Sequence, residues 1–229
     1  MRGDASSSPS DKPDTQNTPA DAEQKVTVVS VELKGAGGEA VRIHLSDGSF
    51  FILHAEVFAR AGIAAGTPID SETRSLLLAR SERIFARLRA LSLLSRAAHT
   101  RQGLARKLAA RGFSKQAIRH AIARMSELGY LDDRAFAESW VNSRMSSRKE
   151  GAKALYRGLL GRGVARPLAE EVVSGLCPFE KELIGARALA AGLSLNAAIR
   201  ALTGRGFRSR TIAALLRELK ETGRGREEE

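Results

Sequence analysis

Two adjacent carboxylates, Asp132 and Asp133, are the residues in this sequence that most resemble a catalytic or metal-binding pair. Paired carboxylates can hold a divalent cation or serve as general acid and base. However, no third Asp, Glu or His stands nearby at a spacing that would complete such a site. Gly129 ends one predicted helix, Asp132 is placed to cap the next, and Asp133 lies in its first turn, where a carboxylate favours the helix dipole. We therefore interpret the pair as helix capping and expect no metal.

The remaining reactive side chains offer no better catalytic site. The histidines stand apart, without a Cys or carboxylate at ligand spacing: His44, His54, His99 and His120. Cys177, the single cysteine, has no obvious base partner. A Gly35-x-Gly37-Gly38 stretch superficially resembles a phosphate-binding loop, but a strand pattern follows it instead of the helix that a dinucleotide fingerprint needs. We expect no catalytic residue and no cofactor, so the protein is not predicted to be an enzyme.

Positive charge is concentrated in the C-terminal half of the chain. The 229 residues include 37 Lys and Arg against 26 Asp and Glu, a net charge of +11. Residues 99–229 hold 25 basic and 14 acidic side chains, so this half carries the whole excess, and 19 of its basic residues are Arg. Arg is the side chain best shaped to bind phosphate and carboxylate. A polyanion or an acidic protein is the predicted partner, and a solvated Arg-rich helical surface is the alternative.

The first 69 residues divide into a tail and a small sheet. Residues 1–24 are almost devoid of large apolar side chains, which predicts a disordered tail. Period-two alternation then predicts strands around Val29–Leu33 and Val41–Leu45, joined through the Gly35–Gly38 turn, and an Asp47-Gly48 turn leads to a third strand at Phe50–Leu53. The sheet at residues 25–69 is interpreted either as an accessory domain or as a docking module. Gly62, Gly66 and Pro68 mark a loop after it.

From about Asp70 the spacing of apolar residues is helical and contains a threefold repeat. Arg111-Gly112-Phe113, Arg162-Gly163-Val164 and Arg205-Gly206-Phe207 each follow a Leu by three residues. The Gly can take positive φ and end a helix, and the next helix starts at Ser114, Ala165 or Ser209. One further helix precedes each of these corners, at Glu82–Ser95, Asp133–Met145 and Pro178–Gly192. The fold predicted is mainly α, with three tandem three-helix, helix-turn-helix-like repeats in an elongated array.

A motif between the first two repeats resembles the RecX family of regulators of the RecA recombinase: Gly129-Tyr130-Leu131-Asp132-Asp133-Arg134-x-Phe136-Ala137-x-x-Trp140-Val141-x-x-Arg144. Together with the corners it extends the resemblance over about Ser81–Glu221. The resemblance implies an array of three-helix repeats that binds the RecA–DNA filament and inhibits its extension, strand exchange and ATP hydrolysis, in DNA repair, recombination and the SOS response. It also implies binding to DNA, and it assigns no role to the first 70 residues. Within the motif, we expect structural roles for Gly129, Tyr130, Leu131, Asp132, Asp133, Phe136 and Trp140.

Basic residues that recur along the repeats are the candidates for contact with RecA or DNA. They are Arg101, Arg106, Lys107, Arg111, Lys115, Arg119, Arg144, Arg148, Lys149, Lys153, Arg157, Arg162, Arg166, Arg205, Arg208 and Arg210. Arg106 and Lys107 are out of register with the apolar Leu104 and Leu108, so they should face solvent. Binding to single- or double-stranded DNA would be electrostatic, because aromatic residues for base stacking are only 5% of the chain.

Two other classes of protein remain as alternatives. Helix-turn-helix corners are also found in transcription factors, although the helices after these corners carry few base-reading side chains, namely Lys115, Gln116 and Arg119 in the first. A nuclease or other enzyme is the third class, and DNA cleavage that depends on a divalent metal would indicate it. The single cysteine and the absence of an apolar signal segment or a membrane-length apolar stretch predict a cytoplasmic protein with no membrane partner. We also expect a monomer.

The predicted domain organisation follows these patterns. Residues 1–24 form the tail, 25–69 the β domain, 70–128 a lead helix with the first repeat, 129–177 the second repeat, 178–221 the third repeat and 222–229 a charged C-terminal tail.

Overall fold

The structure, a computed structural model, describes residues 25–35 and 37–224. The predicted tail at 1–24, Ala36 of the predicted turn, and residues 225–229 of the predicted C-terminal tail lie outside this part of the chain. Contacts within the chain define two compact units, one ending at Leu78 and the other beginning at Ala79. The predicted division between residues 69 and 70 marks the start of the helical pattern and stays a prediction.

The N-terminal unit is a four-stranded antiparallel sheet with one short helix. Its strands are β1 (Val26–Lys34), β2 (Ala40–Leu45), β3 (Phe50–His54) and β4 (Pro68–Ile69), in the order β3-β2-β1-β4. Helix α1 (Ala55–Ala61) follows β3. The small antiparallel sheet is confirmed. The spacing of apolar residues predicted neither α1 nor β4, because seven and two residues are too few for a repeating pattern to stand out.

One face of this sheet forms the core of the N-terminal unit. Val41 pairs with Leu53, and Ile43 pairs with Phe51, so that these four buried side chains share a face. Val28 joins them, and a β-bulge then interrupts β1 between Val28 and Ser30. The alternation that predicted β1 located the strand but not its core, because Val29 and Leu33 are 58% and 71% exposed.

The second unit consists of three-helix repeats, as the sequence predicted. The helices are α2 (Ser71–Leu94), α3 (Arg101–Ala109), α4 (Lys115–Glu127), α5 (Asp133–Arg148), α6 (Ala152–Gly161), α7 (Arg166–Leu176), α8 (Phe179–Ala190), α9 (Leu195–Gly204) and α10 (Ser209–Arg224). We call α2–α4, α5–α7 and α8–α10 the first, second and third repeats. The middle helices are α3, α6 and α9. The start of α2, at Ser71, lies in the N-terminal unit.

Each repeat has an apolar core of its own. Leu104, Leu108 and Met125 are fully buried in the first repeat, Leu155 and Leu159 in the second, and Leu202 with Phe207 in the third. Because these clusters are separate, the contacts that join one repeat to the next must be explained by other interactions.

The Arg-Gly corners turn the chain as the sequence predicted. Gly112, Gly163 and Gly206 have φ values of +84°, +87° and +74°, which residues with a Cβ rarely adopt. The residue after each glycine donates its backbone N–H to the carbonyl of the Leu five residues earlier, as in Phe207 to Leu202 at 3.1 Å. Each middle helix therefore ends at its corner through a local, sequence-encoded cap.

The N-terminus of α6 docks onto the third corner and thereby joins the second and third repeats. The backbone N–H groups of Gly151 and Lys153 donate to the carbonyl oxygens of Arg205 and Gly206, at 2.9 and 3.0 Å. The N–H of Ala152, between them, donates to Oε1 of Glu182 at 2.9 Å. The first N–H groups of a helix have no partner within the helix, and here the next repeat satisfies them.

The N-terminus of α3 makes the equivalent junction with the second corner. The Thr100 hydroxyl donates to the carbonyl oxygen of Arg162 at 2.6 Å, and the N–H of Arg101 donates to Oδ1 of Asp133 at 2.8 Å. A Cβ on Gly163 would lie 2.7 Å from Cβ of Gln102, so the backbones can approach only because this residue is glycine. The two junctions therefore use the same positions of the middle helix and of the corner, whereas their carboxylates, Asp133 and Glu182, stand 29 and 23 residues before the corner Arg.

Glu182 is the polar centre of the junction between the second and third repeats. Only 2% of its surface is exposed. Besides Ala152, it accepts hydrogen bonds from the N–H of Arg208 at 3.0 Å and the hydroxyl of Thr211 at 2.7 Å, and the Arg208 guanidinium lies 3.5 Å away. A buried carboxylate is tolerated when several donors replace its hydration.

We predict that Glu182→Ala destabilises the protein by about 3–5 kcal/mol, because it leaves buried donors and the Arg208 charge without their acceptor. Glu180→Ala removes an exposed carboxylate from the same helix and should change the free energy of unfolding by less than about 0.5 kcal/mol. Urea denaturation followed by the single tryptophan measures both. Equal stability of the two variants would contradict the role given to Glu182.

A pair of Gly→Ala substitutions tests the close approach at the junction. A Cβ on Gly151 would lie 2.4 Å from Cα of Phe207, a backbone atom that cannot move alone, so Gly151→Ala should cost about 1–3 kcal/mol of stability. Gly175→Ala places its Cβ in open space within α7 and should stabilise the protein by about 0.5 kcal/mol. Thermal unfolding of both variants, compared with the unsubstituted protein, checks the opposite signs.

Candidate polyanion-binding surface

Several of the predicted contact residues hold the repeats together instead of standing free. Arg101 donates to the Ser126 hydroxyl and the Leu131 carbonyl, at 3.1 and 3.4 Å. Five more of the predicted arginines donate from their guanidinium groups to backbone carbonyl oxygens or to carboxylates, across a junction or within a repeat: Arg106, Arg144, Arg162, Arg205 and Arg208. Their carbonyl and carboxylate contacts give these side chains a structural role in the array.

Trp140 of the resemblance motif is packed between two of these arginines. The guanidinium carbons of Arg162 and Arg144 lie 4.5 and 5.2 Å from the centre of its ring, within range of a cation–π interaction. The pKa of the Arg162 guanidinium is lowered from its ordinary value, chiefly by burial and further by the neighbouring Arg144. Gly158 lies against the ring edge, where a Cβ would come within 2.2 Å.

A second group of predicted residues is exposed. The side chains of Lys115, Arg119, Arg148 and Arg166 make no hydrogen bond or ion pair with the residues that the structure describes. Arg111 and Arg157 donate only to carbonyl oxygens of their own helices. In each of the other four exposed residues, the charged group makes one contact: Lys107 with His99, Lys149 with the Ala188 carbonyl oxygen, Lys153 with the Ser209 hydroxyl and Arg210 with the Phe179 ring.

The junction between the first two repeats opens into a basic cleft of about 480 Å³. Arg106, Lys107 and Arg162 supply the charged side chains of its lining, and His99 lies beside them. Burial, and then the charge of Lys107, lowers the pKa of His99, so the imidazole is neutral at neutral pH. Its Nε2 lies 3.3 Å from Nζ of Lys107 and can accept a hydrogen bond from that ammonium.

The junction between the second and third repeats opens into a cleft of similar size, about 460 Å³. Lys153 and Arg157 are the charged residues of its lining, together with Tyr156, Phe207 and Ser209. Arg157 stands five residues before its corner Arg, as Arg106 does in the first repeat. We call these two sites the junction clefts. Their described linings contain basic but no acidic side chains, so each can hold a phosphate or a carboxylate.

Arg200 has the same place in the third repeat, although it was not among the predicted contact residues. It also stands five residues before a corner Arg, and its side chain is exposed. Alignment of the three repeats on their corners would have found it.

The carboxylates of the motif cap helices. Oδ1 of Asp132 accepts from the N–H groups of Arg134 and Ala135, at 2.9 and 3.0 Å, as predicted. Asp133, predicted to act on its own helix, caps α3 instead. Gly129 has a φ of +75°, Tyr130 is exposed, Leu131 is buried and Phe136 packs against the core of the second repeat. Within residues 25–35 and 37–224, no cluster of three metal-ligating side chains occurs.

Cys177 is buried, and desolvation raises the pKa of its thiol to about 11. A thiol with such a pKa is protonated at neutral pH and is a poor nucleophile. None of the described helices has the length and apolar content needed to cross a membrane.

Comparison with known proteins identifies the first two of these repeats. Residues 86–125 match the family model of the first three-helix domain of RecX, and residues 132–173 match that of its second three-helix domain. The chain is 36% identical to the regulatory protein RecX of Caldanaerobacter subterraneus subsp. tengcongensis, over 60% of this chain and 70% of that protein. It is 37% identical to the regulatory protein RecX of Thermus thermophilus, over 59% of this chain and 93% of that protein.

Two solved structures share the fold. A crystal structure of regulatory protein RecX superimposes with a TM-score of 0.59 at 18% identity and covers 81% of this chain and 96% of its own. RecX from Lactobacillus salivarius gives a TM-score of 0.54 at 23% identity, over 61% of this chain and 97% of that one.

Charge reversal in the junction clefts tests whether they bind a polyanion. We predict that the double variant K107E/R157E lowers affinity for single-stranded DNA and reduces the slope of log K against log salt by about 1.4, the value for two lost phosphate contacts. Neither side chain bonds across a junction, so the variant should fold normally. The measurement is fluorescence anisotropy of labelled DNA at several salt concentrations.

The matched control is R217E/K220E on α10. It removes the same total charge, and Arg217, like Arg157, donates only to a carbonyl of its own helix. If both variants lose affinity equally, binding depends on net charge and the clefts have no special role.

Proposed function

This chain belongs to the RecX family of regulatory proteins, and we propose that it binds the RecA–DNA filament and inhibits filament extension, ATP hydrolysis and strand exchange. In this role it would act in the control of DNA repair and recombination. Its proposed partners place it in the cytoplasm. We propose no catalytic step, because Asp132 and Asp133 cap helices and the buried Cys177 thiol is protonated at neutral pH.

The observation that carries this proposal is the repetition of the basic junction clefts. A nucleoprotein filament presents the same chemical groups at regular intervals, and DNA adds a phosphate at every nucleotide. Two basic clefts on successive junctions of one chain can engage two such positions at once. The second contact is then intramolecular, so the effective concentration is high and the combined affinity exceeds that of either cleft.

The arrangement of the arginines supports binding without large rearrangement. Arg106 donates to the Gly161 carbonyl at 3.0 Å and Arg162 is packed on Trp140, so both are already ordered at the first cleft. An ordered side chain loses little conformational entropy when it binds. Lys107 at this cleft and Arg157 at the second are exposed and can adjust to the ligand.

A helix-turn-helix DNA-binding transcription factor is the alternative. Lys115, Gln116 and Arg119 are exposed on α4, where such proteins place a recognition helix. A filament regulator needs no preferred DNA sequence, whereas a transcription factor does. A binding selection from random DNA that yields one defined site would favour the alternative.

We predict that substoichiometric protein lowers the rate of ATP hydrolysis by RecA on single-stranded DNA. Since one bound copy affects more than one RecA subunit when extension is blocked, the inhibition should exceed the molar ratio of the two proteins. Unchanged ATP hydrolysis at an equimolar ratio would contradict the proposal.

The cleft variants extend this assay. K107E/R157E should require several-fold more protein for half-maximal inhibition, whereas R217E/K220E should inhibit like the unsubstituted protein. If K107E/R157E inhibits RecA as strongly as the unsubstituted protein does, the filament is bound through another surface.

A further inference from the structure

The junction that joins neighbouring repeats has one unused half at each end of the array. In a three-repeat array, the N-termini of α3 and α6 dock onto the second and third corners. The first corner and the N-terminus of α9 occupy the corresponding positions at the two ends, and neither has a repeat to dock with within residues 79–224. Burial, backbone hydrogen bonds and side-chain size allow each end to be compared with its occupied equivalents.

The first corner is open where the other two are covered. Gly163 and Gly206 are buried, and a Cβ on either would meet the preceding repeat at 2.6 Å, at Gln102 or Ala154. Gly112 is exposed, and a Cβ there would meet nothing within 4 Å. The residue that follows shows the same contrast, because Val164 and Phe207 are each 3% exposed whereas Phe113 is only half-buried.

The N-terminus of α9 is open where those of α3 and α6 are covered. Thr100, Gly151 and Ser194 each stand eleven residues before a corner Arg, so they are equivalent N-cap positions. Thr100 and Gly151 are buried, but Ser194 is exposed. The Ser194 side chain does not cap α9, and the N–H of the next residue, Leu195, has no acceptor among the described residues.

The third residue of each middle helix is small, including the one in α9, which has no corner of a following repeat to dock with within residues 79–224. Gly103 and Ala154 hold this position in α3 and α6, and both lie against the corner of the next repeat. In α9 the residue is Ala197. Ala197 keeps the size that a docked corner requires.

The first repeat also has the carboxylate that completes a junction. Asp133 and Glu82 both stand 29 residues before their corner Arg, and Asp133 accepts the first N–H of α3. Glu82 accepts the N–H and hydroxyl of Ser114, both at 2.6 Å. In the third repeat, Oε1 of Glu182 accepts the equivalent N–H, that of Arg208, together with the N–H of the incoming Ala152. A carboxylate oxygen can accept two such bonds, so Glu82 can accept one more.

We propose that two copies of this chain associate head to tail, with the N-terminus of α9 of one copy docked onto the Arg111-Gly112-Phe113 corner of the next. The N–H groups of Ser194 and Asn196 then donate to the carbonyl oxygens of Arg111 and Gly112, as Gly151 and Lys153 do within the chain, and the N–H of Leu195 donates to Glu82. Leu193 and Leu195, both exposed, lose water-accessible apolar surface in this contact.

The occupant is a second copy because the chain itself carries both halves of the interface and already forms it twice. The contact is heterologous, since different surfaces meet, so each added copy leaves a new open end and association continues beyond a dimer. The contact joins small surfaces, so it should be weak and appear only at high protein concentration.

Two substitutions block one half each and leave the fold intact. Gly112→Asn adds a side chain that has open space in a single copy but overlaps the docked helix, and Asn tolerates positive φ better than other residues do. Ala197→Glu adds bulk at the third position of α9, where Glu also forms a capping box with Ser194 and suits the helix dipole. The controls are Gly129→Asn, at another open glycine with a φ of +75°, and Ala197→Ser.

Sedimentation velocity of the full chain, from about 10 µM to about 1 mM, tests the proposal. The unsubstituted protein and both controls should show a sedimentation coefficient that rises with concentration past that of a dimer. G112N and A197E should each remain monomeric. An equimolar mixture of the two should form a dimer and nothing larger. The open α9 of G112N can dock onto the open corner of A197E, and the other half of the contact is blocked in each variant.

A monomer throughout this concentration range would overturn the proposal, as would a mixture of the two variants that fails to dimerise. Self-association of both single variants would also overturn it, since it would require another interface. The experiment contains neither RecA nor DNA, so its failure leaves the proposed function untouched.

Discussion

The hydrogen bonds between the N-terminus of one middle helix and the Arg-Gly corner of the next repeat are the contacts on which the array depends. Each repeat buries its own apolar cluster, so hydrophobic burial stabilises the repeats individually and does not fix how they follow one another. Hydrogen bonds are directional, so those at Gly151 and Lys153 fix where the third corner lies against α6. At the two covered corners, glycine is needed for two reasons: it adopts a positive φ, and it lets the backbone of the preceding repeat approach closely.

This constraint also determines which charged residues are free to bind a partner. Asp133 and Glu182 cap helices of the preceding repeat, and Arg205 reaches a carbonyl oxygen across a junction. Such side chains are part of the scaffold, although in the sequence they resemble their exposed neighbours. The clefts that remain beside each junction are lined by basic residues, so the geometry that joins the repeats also spaces the positive charge regularly.

Much of the fold followed from local pattern. Apolar residues three and four apart, together with Gly at the corners, predicted the three-helix repeats, and alternation predicted three strands of the sheet. The elements that escaped, α1 and β4, contain only seven and two residues, too few for a repeating pattern of apolar residues to stand out. The buried face of β1 also escaped, because the bulge after Val28 changes the phase of the strand and this depends on pairing with β2.

The sequence by itself determined the repeats, their corners, the family and the location of the positive charge, because helix periodicity, glycine caps and charge are properties of neighbouring residues. Only the tertiary structure decided what each charged residue contacts. Arg101 and Asp133 are 32 residues apart along the chain and Arg106 and Gly161 are 55 apart, so their pairing arises from the packing of one repeat against the next. For the same reason, only the tertiary structure distinguished the open first corner from the two covered ones, although all three are written with nearly the same residues.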